Sequence, residues 1–282
     1  MKVDMCMAYS QPSLLPDALD ILTQAGVRVI AGGTDFYPAL KAGQHPDNLL
    51  DVTRIDGFSD ITQSEGGIKI GAAVTWSDVV KADLPQAFDA LKQAAREVGS
   101  LQIQNAGTIV GNICNASPAA DGVPPLLALN AEVELASAAT GKRVFPLGAF
   151  IRGVRQTALK DDELVTAIIV PKPDADMTSG FEKLGSRRYL VISIAMTAVN
   201  ILLDTQGRIA DARVAVGSCS AIAQRLTALE ARLIGQVPAD IRISPDDVAA
   251  LTPIDDVRGT SAYRLDAVRD QIERAIHKAV LS

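Results

Sequence analysis

Two glycine-centred stretches hold most of the residues whose types and spacing could serve a ligand. The first is Ile30-Ala31-Gly32-Gly33-Thr34-Asp35-Phe36, where adjacent glycines join a short apolar run to a polar turn. Glycine reaches φ > 0 at no steric cost and lets the backbone approach a bound group closely. Successive N–H groups in such a turn form a concave nest, and a following helix start adds partial positive charge, so the pattern suits an anion such as a pyrophosphate. A plain strand-to-helix turn capped by Thr34 or Asp35 is the commoner use of such residues.

The second stretch, Asn105 to Asp121, combines Gly107 and Gly111 with Asn105, Thr108, Asn112, Asn115 and Ser117. Short polar side chains among small residues let a chain hug a flat or extended ligand. Ser117-Pro118 reads as an N-cap followed by proline at the first helical position. Asp121 could accept a hydrogen bond from a ribose hydroxyl or stabilise that helix start. A loop held only by Asn and Ser turns fits the same residues equally well. Two phosphate-friendly turns together favour a large nucleotide. Neither GxxxxGK(S/T) nor GxGxxG occurs, so a fold other than the P-loop or Rossmann type is required.

Other chemistries find little support. The cysteines Cys6, Cys114 and Cys219 form no CxxC pair, and the histidines are only His45 and His277, so neither an iron–sulfur cluster nor a zinc site is expected in this chain. No GxSxG is present; Gly217-Ser218-Cys219-Ser220-Ala221 is not one. A formal net charge of −6 with scattered charges argues against nucleic acid as partner. Met1 to Ser10 lacks a secretory pattern, and the densest apolar run, Val191 to Leu203, is broken by Ser193, Thr197 and Asn200. A cytoplasmic protein without a membrane span is expected.

The elements around these stretches read as α/β at first. Asp17 to Ala25 predicts a helix, Val27 to Ala31 a short buried strand, Phe36 to Ala42 a helix with Gly43 at C′, and Asn48 to Val52 a strand. Gly66 to Val74 alternates as a half-buried strand, and Thr75 to Lys81 and Leu84 to Val98 predict helices. Ser100 to Asp121 has no clean period and reads as buried and irregular. Helix then strand follow across Leu126 to Ala136, and Glu163 to Val170 is a strand stopped by Pro171. Pro171 to Ser179 marks the domain boundary. Beyond it, Ser193 to Leu203 and Arg208 to Val216 form a hairpin. Helices over Ala221 to Ile234, Ser244 to Leu251 and Tyr263 to Leu281 complete an α+β unit.

Ala31-Gly32-Gly33-Thr34-Asp35, taken with Thr108-Ile109-Val110-Gly111-Asn112-Ile113 and Ala116-Ser117-Pro118-Ala119-Ala120-Asp121, resembles the paired FAD motifs of the medium subunit of molybdenum hydroxylases. That family includes xanthine dehydrogenase and aerobic carbon monoxide dehydrogenase. The resemblance extends to the boundary near Pro171, to Phe181-Glu182-Lys183-Leu184-Gly185-Ser186-Arg187-Arg188 and to Ser261-Ala262-Tyr263-Arg264. It implies an α+β chain: an FAD-binding fold of the vanillyl-alcohol-oxidase type over 1–173, with α/β subdomains over 1–54 and 55–173, then a C-terminal domain over 178–282. Ala31 to Phe36 would wrap the pyrophosphate through backbone amides, with Ile30 beside them in the cofactor site. Thr108, Gly111, Asn112, Asn115 and Ser117 would line the other side of FAD, Asp121 would contact the ribose region or support its loop, and Lys183 would lie near the flavin. Gln104, where many relatives carry arginine, and Val110, in place of a second glycine, depart from the pattern without removing a backbone donor.

The resemblance also implies partners: a large subunit with a molybdopterin cofactor and a small subunit with [2Fe–2S] clusters, assembled as a dimer of heterotrimers. No catalytic residue and no metal ligand are expected here, and the role is electron transfer through FAD to NAD, a quinone or oxygen. A self-sufficient flavin oxidase or dehydrogenase of the same fold, or a non-catalytic nucleotide-binding module, are the competing readings.

Overall fold

The computed structural model describes residues 8–41, 48–187 and 191–281. The expected C′ glycine Gly43, the motif residue Arg188, and Cys6 and His45 lie outside them.

The first unit contains β1 (Ala8–Ser10), α1 (Leu15–Leu22), β2 (Val27–Ile30), α2 (Phe36–Ala39) and β3 (Asn48–Asp51). The strands are parallel in the order β1-β3-β2. Helix α1 buries Ala18, Leu19 and Leu22, the spacing of a one-sided apolar stripe. The helix expected over Phe36 to Ala42 is a single turn instead. Pro38 supplies no N–H, and Leu40 is already extended at φ −70°, ψ 130°. Neither Thr34 nor Asp35 caps it with a side chain.

The second unit begins with β4 (Ile61–Ser64), β5 (Gly67–Gly71), α3 (Trp76–Lys81), a 3₁₀ turn (Gln86–Phe88) and α4 (Asp89–Glu97). It continues with α5 (Leu101–Ala106), α6 (Ile109–Asn115), α7 (Val123–Ala128), β6 (Glu132–Ser137) and β7 (Gly141–Pro146). Then come α8 (Leu147–Phe150), β8 (Ile151–Gly153), β9 (Gln156–Thr157) and β10 (Leu164–Pro171). The main sheet runs β4-β5-β10-β6-β7 and is antiparallel throughout, so this unit is α+β in detail. The stretch expected to be irregular is largely helical. Thr108 caps α6 by accepting from the Gly111 N–H at 2.9 Å, and left-handed Ala116 ends it at φ 46°. Ser117-Pro118 does not start a helix. Ser117 Oγ accepts from the Ala119 N–H at 3.2 Å in a local turn, and α7 begins only at Val123.

The C-terminal unit carries β11 (Thr178–Leu184), β12 (Ala195–Leu203), β13 (Ile209–Gly217), β14 (Gln224–Arg225), α9 (Thr227–Leu233) and α10 (Ser261–Val280). Its sheet is antiparallel in the order β11-β12-β13-β14. The helix expected from Ala221 is shorter, because Gln224–Arg225 pairs with β13 first. The Ser244 segment is a 3₁₀ turn, Pro245–Val248. Strand β11 was not expected. It holds α4 against the C-terminal sheet: Ser179 Oγ accepts from the Ala90 N–H at 2.9 Å and donates to Gln86 O at 2.8 Å. Asn200 Nδ2 donates to Ala87 O at 2.9 Å. One apolar core runs through this junction, joining Ala87, Ala90 and Leu91 to Phe181, Met196, Ala198 and Ala215.

Candidate cofactor site

The end of β2 opens into a cleft of about 490 Å³ between the first two units. Ile30, Ala31, Gly32, Gly33, Thr34, Asp35 and Phe36 form one wall; Thr108, Gly111, Asn112 and Asn115 face them from the other. The two glycine stretches touch directly. A Cβ on Gly32 would lie 1.8 Å from Ala106 O, and one on Gly107 would lie 3.3 Å from Thr34 Oγ1. Gly33 turns the chain with φ +67°, the left-handed region that favours glycine.

Among the described residues, no backbone acceptor pairs with the N–H groups of Gly33, Thr34, Asp35 and Phe36. A run of consecutive unpaired donors beside a cleft is a nest for an anion. The opposite wall is tied down by hydrogen bonds. Trp76 N–H donates to Gly107 O at 3.1 Å, Ile109 N–H donates to Val74 O at 3.2 Å, and Asn112 Oδ1 accepts from the Gly122 N–H at 3.2 Å. The cleft size lies within the range of cofactor sites. Open donors, a glycine-lined approach and a fixed facing wall fit FAD.

Sequence reasoning missed part of the lining. Arg28 stacks its guanidinium on the Phe36 ring at 4.5 Å. Trp76 is buried against Gly107 and Gly122, and Glu163, Leu164 and Val165 bring the start of β10 to the cleft. As the sole tryptophan, following Thr75 at a helix start, Trp76 carried a readable signal. Arg28 and the β10 residues reach the cleft through sheet topology, which no local pattern encodes.

Ser117, Asp121 and Lys183 are not among the residues lining this cleft. Asp121 and Lys183 instead meet each other. Lys183 Nζ sits 2.8 Å from Asp121 Oδ2 and also donates to Glu97 O at 3.2 Å, while Ser193 Oγ donates to Asp121 Oδ1 at 2.6 Å. Their side chains are 3% and 12% exposed, so this is a buried ion pair joining the second glycine stretch to β11. Burial raises the Glu97 carboxyl above its ordinary value, against the pull of nearby Lys183. Cys114 lines the cleft, but burial pushes its thiol up to about 12, so it is no thiolate. Among the described residues no cluster of His, Cys, Asp and Glu could hold a metal, and no helix is long and apolar enough to cross a membrane.

The fold and cleft define a nucleotide-cofactor protein in which two glycine-bearing walls oppose each other. Residues 4–173 match the FAD binding domain in molybdopterin dehydrogenase, and residues 181–279 match the CO dehydrogenase flavoprotein C-terminal domain; the chain belongs to this family of FAD-binding subunits. It is 31% identical to the 6-hydroxypseudooxynicotine dehydrogenase complex subunit alpha of Paenarthrobacter nicotinovorans, covering 93% of this chain and 90% of that protein. It is also 31% identical to the glyceraldehyde dehydrogenase medium chain of Sulfolobus acidocaldarius, covering 93% and 94%. A chain of carbon monoxide dehydrogenase from Hydrogenophaga pseudoflava superposes with a TM-score of 0.87 at 26% identity, covering 98% of this chain and 97% of that one. The chain is thus a flavoprotein subunit of an oxidoreductase of the molybdenum hydroxylase type.

Proposed function

We propose that the cleft holds FAD with its pyrophosphate on the Gly32 to Phe36 turn, and that the chain relays electrons from [2Fe–2S] clusters of a small partner subunit to an external acceptor. A large partner subunit with the molybdopterin cofactor would oxidise the substrate. The observation that carries this reading is the run of unpaired N–H groups from Gly33 to Phe36 facing Thr108, Gly111, Asn112 and Asn115 across the cleft. The names of the two relatives, one the subunit of a complex and one a medium chain, support a partner-dependent role.

FAD supplies the exchange between one-electron donors and two-electron acceptors such as NAD or a quinone. The residues of this chain bind and orient. The first glycine turn neutralises phosphate charge through backbone dipoles, and Trp76 with the capped α6 keeps the second wall fixed. In this reading Ser117 supports the turn leading to Asp121. Asp121 and Lys183 set the electrostatics where the C-terminal unit meets the flavin domain, and a cation there would favour reduced, anionic flavin. We assign 1–173 to the FAD domain, of the vanillyl-alcohol-oxidase type, and 178–282 to the C-terminal domain. The working assembly would be a cytoplasmic dimer of heterotrimers.

Titration of the purified chain with FAD, followed by its visible spectrum, tests the cofactor. Absence of uptake sinks this reading. Co-expression with neighbouring genes tests the relay, since failure to recover a molybdenum- and iron-containing complex would favour a self-sufficient flavin enzyme. Gly33→Val fills the left-handed turn and is expected to lose FAD while the chain stays folded.

A further inference from the structure

The β8–β9 hairpin contributes none of its residues to the cleft lining, yet its tip reaches the end of α6. Arg155, at that tip, has a left-handed backbone with φ 58°, and it bonds to a second left-handed non-glycine residue, Ala116, φ 46°. The bond runs from the Arg155 N–H to Ala116 O at 2.9 Å. Each such conformation is unfavourable for a residue with a Cβ, and strained residues persist where surrounding structure over-determines them. The Arg155 guanidinium continues the contact: Nη1 donates to Asn115 Oδ1 and lies 3.4 Å from Asn115 O. Asn115 itself lines the cleft.

An asparagine amide has one accepting and one donating end. With Oδ1 taken by Arg155, the end left over is Nδ2, which has no acceptor among the described residues. We infer that Arg155 is a positioning residue that locks the Asn115 amide so that Nδ2 donates to an oxygen of the bound nucleotide, a phosphate or sugar oxygen. This rests on the proposed FAD site. Free to flip, the amide would offer either a donor or an acceptor, and an acceptor facing an anionic oxygen repels it. The hairpin is then a buttress of the second glycine wall. Its arginine acts from outside the cleft.

The test measures FAD affinity of the full chain by flavin fluorescence, with thermal melting of the FAD-free protein alongside. Arg155→Gly suits the left-handed backbone and removes the side chain with its guanidinium. It is expected to weaken FAD binding about two- to tenfold, because the unlocked amide must be ordered by the ligand, without lowering the FAD-free melting temperature. Arg155→Lys should recover part of the loss. Asn115→Ala should weaken binding similarly, and adding Arg155→Gly to it should cost less than about twofold more, because both act through one contact. Additive losses, or unchanged FAD affinity in Arg155→Gly whatever its melting temperature, would overturn the inference. If the wild-type chain takes up no FAD, the proposed function falls and this inference falls with it. Wild-type uptake with an unaffected Arg155→Gly variant sinks the inference alone.

Discussion

The place where Gly32 would carry a Cβ is filled by the carbonyl of Ala106, whose oxygen would be 1.8 Å away. The two walls of the cleft are therefore in backbone contact, and Gly32 serves packing before it serves any ligand. Gly32→Ala must push the walls apart or distort the α5–α6 junction. Overpacking costs about 1–3 kcal/mol, and a backbone atom yields less readily than a side chain. The expected result is a lower melting temperature of the FAD-free chain together with lost flavin retention. An unchanged melting temperature would show that the contact relaxes freely.

Lys183 and Asp121 offer a different test. Lys183→Met leaves Asp121 buried with only Ser193 as a side-chain partner. Breaking a buried pair by removing one member costs about 3–5 kcal/mol, whereas removing both charges costs less. Chemical denaturation of Lys183→Met and of Lys183→Met/Asp121→Asn is expected to show the double variant more stable than the single one. The reverse order would mean the carboxylate is satisfied without lysine.

Glu163 predicts an acid limb. Burial alone would raise its carboxyl, but Arg143 at 2.6 Å and the Lys160 N–H at 2.9 Å outweigh that and hold it below the ordinary carboxylate value. A depressed folded pKa contributes stability above the unfolded value of about 4.3, lost as pH falls through the folded pKa. Wild type should exceed Glu163→Gln in urea midpoint near neutral pH, and the gap should close below about pH 4. A gap that stays constant with pH would remove the ion pair as its cause.

Tyr9 gives a spectroscopic handle at the edge of the first sheet. Its hydroxyl donates to Asp51 Oδ2, and this bond to a carboxylate, with burial and the carboxylate charge adding to it, pushes the phenol up to about 12. Asp51 also accepts from Gln11 Nε2 at 3.0 Å and from the Thr53 N–H at 2.8 Å. Near-ultraviolet titration should show one late-ionising tyrosine, which Asp51→Asn returns toward the ordinary value of about 10. An unchanged profile in that variant would remove Asp51 as the source.

Several strands and the long helix α10 were legible from their apolar residues and flanking turns, although the burial expected of Val27 to Ala31 is partial, with Arg28 and Val29 exposed. Val27–Ile30, Gly67–Gly71 and the stripe of Val268, Ile272 and Ile276 in α10 all stand where their patterns place them. The helices α5 and α6 were not, since each is too short to display a period and depends on caps such as Thr108. At the site, the glycine types could be read but their purpose could not. Gly32 answers to Ala106, a contact of tertiary origin. The Asp121–Lys183 pair spans 62 positions, and nothing local to either residue names the other.

Helix α4 has one side on the flavin half and the other on the C-terminal sheet, with Ser179 and Asn200 completing the backbone bonding around Gln86 to Ala90. The boundary near Pro171 is thus a seam in the chain without being a seam in the fold. A protease nick there should leave two fragments that stay together, and residues 1–173 made alone should aggregate around an uncovered α4. Engineers seeking to graft this flavin carrier onto another enzyme would have to move both halves as one piece.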